Sequence, residues 1–450
     1  MKSINLTFIR SVSVILIPIF LQGMVTVLLN FVDVFMLAKL GEASLAAASI
    51  NFQVFFVYLM VVFSVSSGVA VFVAQSHGAK EPNKIHSYHA LGLQLGFLIS
   101  VIFIVVLSSM PEKILGLYTD DAQVLAKALE FLQVTLPIYA FYFITNVYFQ
   151  VLRSVTKVKL PLVASVLALS LNTVLNYGMI FGKLGFEEYG FIGAAYATLI
   201  SRTLELLITI ILTYKERNQA ALPMKKLFVL NESIYLVPKF ISVSRHILSS
   251  TILWVLGTNV YMIMYAQKGV ESFAALNIAL SFEKVGLVLI SSLGQTAGII
   301  IGKMLGENEF AKAKDVSKVF LITSIVFSLI ISLFIIVSGS IFVSHYGFEQ
   351  STMEFVQSIL ISICIIMLFK SINIVTNMGV LRSGGDTKFI MYSDFFGVWL
   401  IGVPIAIFLV KYTTLSLPII IIIVGLEELV KNILCLSRMR TDKWLVNVVK

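Results

Sequence analysis

Stretches of about 20 apolar residues recur from one end of this chain to the other, and that recurrence constrains its fold more than any other feature. Each is long enough to cross a hydrocarbon core of about 30 Å. Lipid offers no partner for backbone N–H and C=O groups, so only helices or the strands of a closed barrel can cross it. Barrel strands alternate polar and apolar residues, whereas runs such as 419–424 are apolar throughout. Twelve spans are read at roughly 12–36, 45–73, 89–110, 124–150, 160–182, 190–214, 245–267, 272–301, 318–342, 354–380, 388–410 and 417–436. The fold class is therefore all-α integral membrane, with twelve transmembrane helices. Charge agrees: only 13% of the 450 residues are charged, about half the usual share of a soluble domain.

The net charge of +9 invites a nucleic-acid reading, and its placement argues against one. With the N-terminus inside, 24 of the 33 basic residues, Lys2 among them, fall on the cytoplasmic side. Six fall opposite: Lys39, Lys113, Lys127, Lys183, Lys268 and Lys411. Arg202, Lys284 and Lys370 lie within spans. This asymmetry places both termini in the cytoplasm. A multi-pass protein of the cytoplasmic (inner) membrane is expected, acting as a monomer in the lipid bilayer. Cys364 and Cys435 both fall within spans, so no disulfide framework is implied.

The chain also repeats itself. At a shift of 228 residues, 34–50 (VFMLAKLGEASLAAASI) overlays 262–278 (MIMYAQKGVESFAALNI), with Met36, Ala38, Gly41, Ser44, Ala46, Ala47 and Ile50 identical. The same shift sets Gly78 on Gly306 and Lys84 on Lys312, and Leu152-Arg153-Ser154 has a counterpart in Leu381-Arg382-Ser383. Six spans separate the copies, an even number, so both halves insert in the same orientation. Two six-helix bundles are expected, at 1–214 and 245–450, joined by a cytoplasmic loop at 215–244 and related by a pseudo-two-fold axis along the membrane normal. Some secondary transporters use such parallel repeats, rocking two bundles about a central cavity to alternate access. A receptor or scaffold has no obvious need of the duplication.

Residues 18–48 (PIFLQGMVTVLLNFVDVFMLAKLGEASLAAA) resemble the opening helix and first loop of the MATE (multidrug and toxic compound extrusion) transporters. So do 68–78 (GVAVFVAQSHG), 193–198 (GAAYAT), 381–388 (LRSGGDTK) and 399–404 (WLIGVP), and the closing stretch 427–444, with Glu428, Lys431, Arg438 and Lys443-Trp444, is similar to the end of many bacterial members. The resemblance covers nearly the whole chain in family order. It implies a twelve-helix antiporter that exports organic cations or amphipathic drugs in exchange for Na⁺ or H⁺. No cofactor is implied beyond that coupling ion.

Asp33 is the leading candidate for coupling. It lies deep in the first span, where an acid costs about 2.5–3.5 kcal/mol to insert and is rare unless used or paired. Coupling needs a carboxylate that is protonated in one access state and bare, or Na⁺-bound, in the other. The alternative is a structural carboxylate satisfied by hydroxyl or amide partners. Asn172 and Asn176 share one face of the fifth span at i and i+4, and Asn146 and Thr198 could face the same cavity. Together these side chains offer hard oxygen donors suited to a small cation. By resemblance, Asp33 belongs to the family's cation site in the N-terminal half and the other positions to the polar lining of that pocket. Several members carry a second aspartate where Asn176 stands here. Apart from Na⁺ at Asp33, no metal site is expected.

The second half departs further from the family. Some members place a Glu in the seventh span and an Asp in the tenth; spacing from Gly269 and Arg382 puts Trp254 and Ser371 there. Glu283 and Lys284 are candidates for a second-half site, or else one side of a neutralising pair with another helix. For Lys370 and Asp394, pairing between helices is the better reading. His77, His86 and His89 lack a compact metal-ligand spacing. Gly92 and Gly96 form a G-x-x-x-G pattern suited to internal packing. No Walker lysine follows Ser383-Gly384-Gly385-Asp386, and neither an H-E-x-x-H nor any other catalytic constellation is present, so an enzyme is not expected. The nearest rival is a lipid-linked saccharide flippase of the same superfamily, which would hold a pyrophosphate with several cations; only three basic residues lie within spans here.

Overall fold

The computed structural model describes residues 6–228, 235–345 and 350–450. Lys2 and residues 229–234 of the connecting loop lie outside them. Every regular element among the described residues is helical. Twelve long helices carry the chain: α1 (Leu6–Ala38), α2 (Glu42–Gly78), α3 (Pro82–Ser109), α4 (Ala122–Ser154), α5 (Lys159–Phe181), α6 (Gly190–Lys215), α7 (Val237–Ala266), α8 (Val270–Gly306), α9 (Phe310–His345), α10 (Gln350–Ile374), α11 (Thr387–Tyr412) and α12 (Leu417–Arg440). Eleven of them are long and apolar enough to cross a membrane; α12, with Glu427, Glu428 and Lys431 in its middle, is the exception.

The chain divides into two compact units, one of residues 17–241 and the other of 1–16 with 242–450. The first eleven described residues of α1 thus belong with the second unit, where Leu16 packs beside Leu293 and Ala297 of α8.

The duplication seen in the sequence is carried into the backbone. α2 and α8 are both 37 residues long, and their ends lie 228 positions apart, Glu42 to Val270 and Gly78 to Gly306. Each is entered through a glycine at positive φ, Gly41 at +92° and Gly269 at +112°, a conformation that a side chain would strain. Each is left through a left-handed residue, Lys80 at +57° and Asn308 at +60°. Two glycine turns and two polar turns at one spacing are a fold-level repeat.

Small residues let the helices of the first unit approach closely. A Cβ on Gly92 would come within 2.5 Å of Val69 on α2, and one on Gly96 would overlap the Phe143 ring of α4. The G-x-x-x-G pair therefore packs internally, as read from the sequence. Polar groups close the same interfaces: Asn51 Nδ2 donates to the Ala128 carbonyl at 3.0 Å, and the Tyr58 hydroxyl reaches both Ser100 and the Tyr139 carbonyl. Interhelical bonds of this kind contribute about 0.6–2 kcal/mol each in lipid.

In the second unit, the turns that continue the chain beyond α10 and the middle of α11 depart from α-helical winding. π-helical stretches run over Val375–Leu381 and Phe395–Gly402. Such widened turns shift the register of the side chains that follow and occur often at functional sites.

Candidate cation site

In the first unit the structure brings α1 and α5 together at Asp33. Asn176 Nδ2 donates to Asp33 Oδ1 at 2.9 Å and to Asn172 Oδ1, one turn earlier on α5, at 3.3 Å. Asn176 is 3% exposed, and its own Oδ1 accepts no hydrogen bond among the described residues. A buried amide oxygen without a donor costs about 1–3 kcal/mol, and a positive ligand beside the carboxylate would satisfy it. Asp33, Asn172 and Asn176 are thus one cluster of oxygen donors around a single carboxylate, a chemistry suited to a proton or a small monovalent cation.

The other two residues expected here are otherwise engaged. Asn146 Nδ2 donates to the Tyr142 carbonyl at 2.9 Å and Thr198 Oγ1 to the Ala194 carbonyl at 2.8 Å, each within its own helix. Each donates one hydrogen within its own helix, and the Asn146 and Thr198 oxygens retain acceptor capacity.

Beneath the cluster runs a network that links four helices. Arg153 of α4 donates to Gln22 Oε1 at 2.6 Å, Gln22 Nε2 to Ser165 Oγ at 2.7 Å, and Ser165 Oγ to Glu205 Oε1 at 2.9 Å. Arg202 then bonds Glu205 Oε2 at 2.7 Å and lies over the Tyr142 ring at 5.3 Å. Glu205 is 3% exposed, a buried carboxylate in the same unit as the half-buried Asp33. Arg202 is close enough to act electrostatically on Asp33 as well. The sequence places Arg202, like Lys284 and Lys370, within a span, and the reading of it passes over Glu205. The signal was present as an Arg–Glu pair at i and i+3 on α6, the spacing that makes helix neighbours.

The second unit places its charges differently. Glu283 of α8 pairs with Lys370 of α10 at 2.6 Å, the neutralising partnership weighed for both residues. Lys284, the next residue on α8, is exposed. Trp254 is exposed and Ser371 is buried, its hydroxyl bonded to the Leu368 carbonyl. Asp394 of α11 accepts from Ser250 of α7. On α12, Glu427, Glu428 and Lys431 are all buried, with Lys431 Nζ 3.5 Å from Glu427 Oε1 and 3.0 Å from Glu428 Oε1.

The histidines form no ligand set. His77 Nδ1 meets Gln219 Oε1 at 2.8 Å, and His89 is buried edge-on against Tyr148 at 4.5 Å. No group of three or more His, Cys, Asp or Glu suited to a metal ion is found among the described residues. Cys364 and Cys435 are free and buried.

The model of one protein family, MatE, matches the chain twice, over residues 18–178 and 247–408. The two matches begin 229 residues apart, beside the 228-residue shift of the repeat. Among curated relatives, the probable multidrug resistance protein YoeA of Bacillus subtilis is 23% identical over 424 residues, covering 91% of this chain and 88% of its own. The multidrug resistance protein NorM of Burkholderia vietnamiensis is 26% identical, with 86% and 84% covered. Two solved structures share the fold. One is an outward-facing multidrug resistance MATE family transporter of the MOP superfamily, with TM-score 0.86, 19% identity and 96% of both chains covered. The other is a MOP superfamily transporter from Pyrococcus furiosus with a binding pocket of reverse polarity, with TM-score 0.85, 20% identity and 96% and 95% covered.

Proposed function

Because the chain belongs to the MatE family, we propose that it is a secondary active exporter of organic cations or amphipathic drugs, exchanging them for Na⁺ or H⁺ at Asp33. The names of its relatives support drug efflux. The observation that carries the coupling site is the arrangement at Asn176, which donates to Asp33 while its own buried oxygen has no donor.

The cycle follows from that amide. With Asp33 bare, Asn176 stabilises the carboxylate through its N–H. A proton on Asp33 turns the carboxyl into a donor, and a bound Na⁺ asks for oxygens; either favours the Asn176 amide turned to present Oδ1. The ligand thereby changes which way α5 is held against α1. It drives transport by differential affinity for the two access states, since equal affinity shifts nothing. Glu205 holds Arg202 within electrostatic reach of Asp33 but bonded elsewhere. The halves 1–214 and 245–450, joined by the loop 215–244, would alternate access as a monomer with both termini in the cytoplasm. Of the three basic residues read within spans, Arg202 and Lys370 are bonded to carboxylates, which leaves Lys284 for the pyrophosphate of a lipid-linked saccharide.

The test is reconstitution in liposomes with a fluorescent organic cation, under an imposed Na⁺ gradient and then an imposed pH gradient. Wild type should move the cation under one of them, naming the ion, and Asp33→Asn should not. Equal movement by Asp33→Asn would place coupling elsewhere.

A further inference from the structure

The second unit holds a buried pair of carboxylates on one helix turn, Glu427 and Glu428, where two adjacent acids would repel each other strongly in low dielectric. One oxygen of each is pinned by a neutral donor from another helix. The Tyr261 hydroxyl of α7 donates to Glu427 Oε2 at 2.7 Å, and Asn373 Nδ2 of α10 donates to Glu428 Oε2 at 2.5 Å. The remaining oxygen of each, Oε1 in both cases, faces Lys431 Nζ. Asp394 adds its field from α11. Lys431 is 1% exposed.

The backbone around this ammonium is shaped for it. The π-helical stretch of α11 presents Gly397 and Gly402 to the network. A Cβ at 397 would lie 2.5 Å from Lys431 Cγ, and one at 402 would lie 2.7 Å from Glu427 Oε2 and overlap the Tyr261 hydroxyl. Both glycines clear space, one for the stem of the lysine and one for the donor that fixes the carboxylate. An ordinary buried ion pair needs no such widened turn, and a hydrophobic replacement is often as stable.

We propose that Lys431 is a built-in counter-cation, its ammonium filling a monovalent-cation site formed by Glu427 and Glu428 so that the second unit requires no ion from solution. Coupling is then left to Asp33, a consequence that rests on the function proposed above; the occupancy of the α12 site does not. Removing the amine while keeping the carboxylates leaves a hole of the right charge and size for ammonium, methylammonium or Na⁺.

The experiment uses the full chain, purified in detergent in the Asp33→Asn background, so that no salt effect can arise at that carboxylate. Thermal unfolding is followed in matched choline, sodium, ammonium and methylammonium chloride. The parent should unfold at one temperature in all four. Lys431→Ala should fall by about 5–10 °C in choline and regain at least half of the loss in ammonium, methylammonium or sodium. Glu427→Gln/Glu428→Gln/Lys431→Ala, with the carboxylates neutralised, should lose that discrimination among salts. A Lys431→Ala midpoint equal to the parent, or depressed equally in all four salts, overturns the proposal. If Lys431→Ala does not survive purification in choline, monodisperse recovery in each salt becomes the readout, and equal loss in all four overturns the proposal in the same way.

Discussion

Asn176 holds its amide between two acceptors, Asp33 on α1 and Asn172 on its own helix, with its oxygen left over. Asn176→Ala removes both the donor that stabilises bare Asp33 and the oxygen available to a bound ion. A hydrogen bond to a charged group contributes about 1.5–3 kcal/mol. Its loss from the bare state outweighs the loss of a neutral acceptor bond, about 0.5–1.5 kcal/mol, from the protonated state, so under a pH gradient the half-saturating proton concentration should fall about fivefold in vesicle uptake, while the protein stays folded. Glu205 is the residue that hydropathy reading overlooks, because its span stays apolar on average, with a mean hydropathy of 1.6 in its most apolar window. Glu205→Gln should destabilise the protein by about 1–3 kcal/mol, the low end for a buried pair because Arg202 is partly exposed. Arg202→Gln/Glu205→Gln should recover part of that loss in thermal unfolding. Asp33, Asn172 and Asn176 were legible as a cluster because an intramembrane acid and an i, i+4 amide pair are rare in lipid-facing sequence. That Asn146 and Thr198 each donate within their own helix was not legible, since a rotamer choice leaves no mark on spacing.

The helices outrun the spans that hydropathy marks. α2 covers Glu42–Gly78 where the apolar run covers roughly 45–73, and α8 outruns its apolar run of 272–301 in the same way. Hydropathy senses the hydrocarbon thickness, whereas backbone hydrogen bonding continues into the polar interface until a left-handed residue ends it, as Lys80 and Asn308 do. Gly41 and Gly269 were visible as a repeat, and the positive φ of both gives the physical reason for the identity. The π-helical stretches carried no such signal, because close approaches between distant segments, such as Gly397 against the Lys431 stem, leave no mark on local sequence. Close approach at Gly96 makes a sharp prediction. Gly96→Leu drives a side chain into Phe143 and should destabilise the α3–α4 contact by about 1–3 kcal/mol, lowering the thermal midpoint without changing ion preference.

Across the whole chain, the run of apolar segments and the internal repeat were enough to reach an all-helical membrane fold, and the twofold match of the MatE model stands beside that repeat. Substrate class was not within reach of either, because cavity shape depends on side chains from many distant segments at once. Exchange through one carboxylate requires that the two fluxes be reciprocal. The most direct measurement loads liposomes with an organic cation, imposes no ion gradient, and records Na⁺ or proton movement as the cation runs down its own gradient. Exchange at Asp33 predicts an opposing ion flux in wild type and none in Asp33→Asn. Cation movement without a counter-flux, or an undiminished counter-flux in Asp33→Asn, would contradict it.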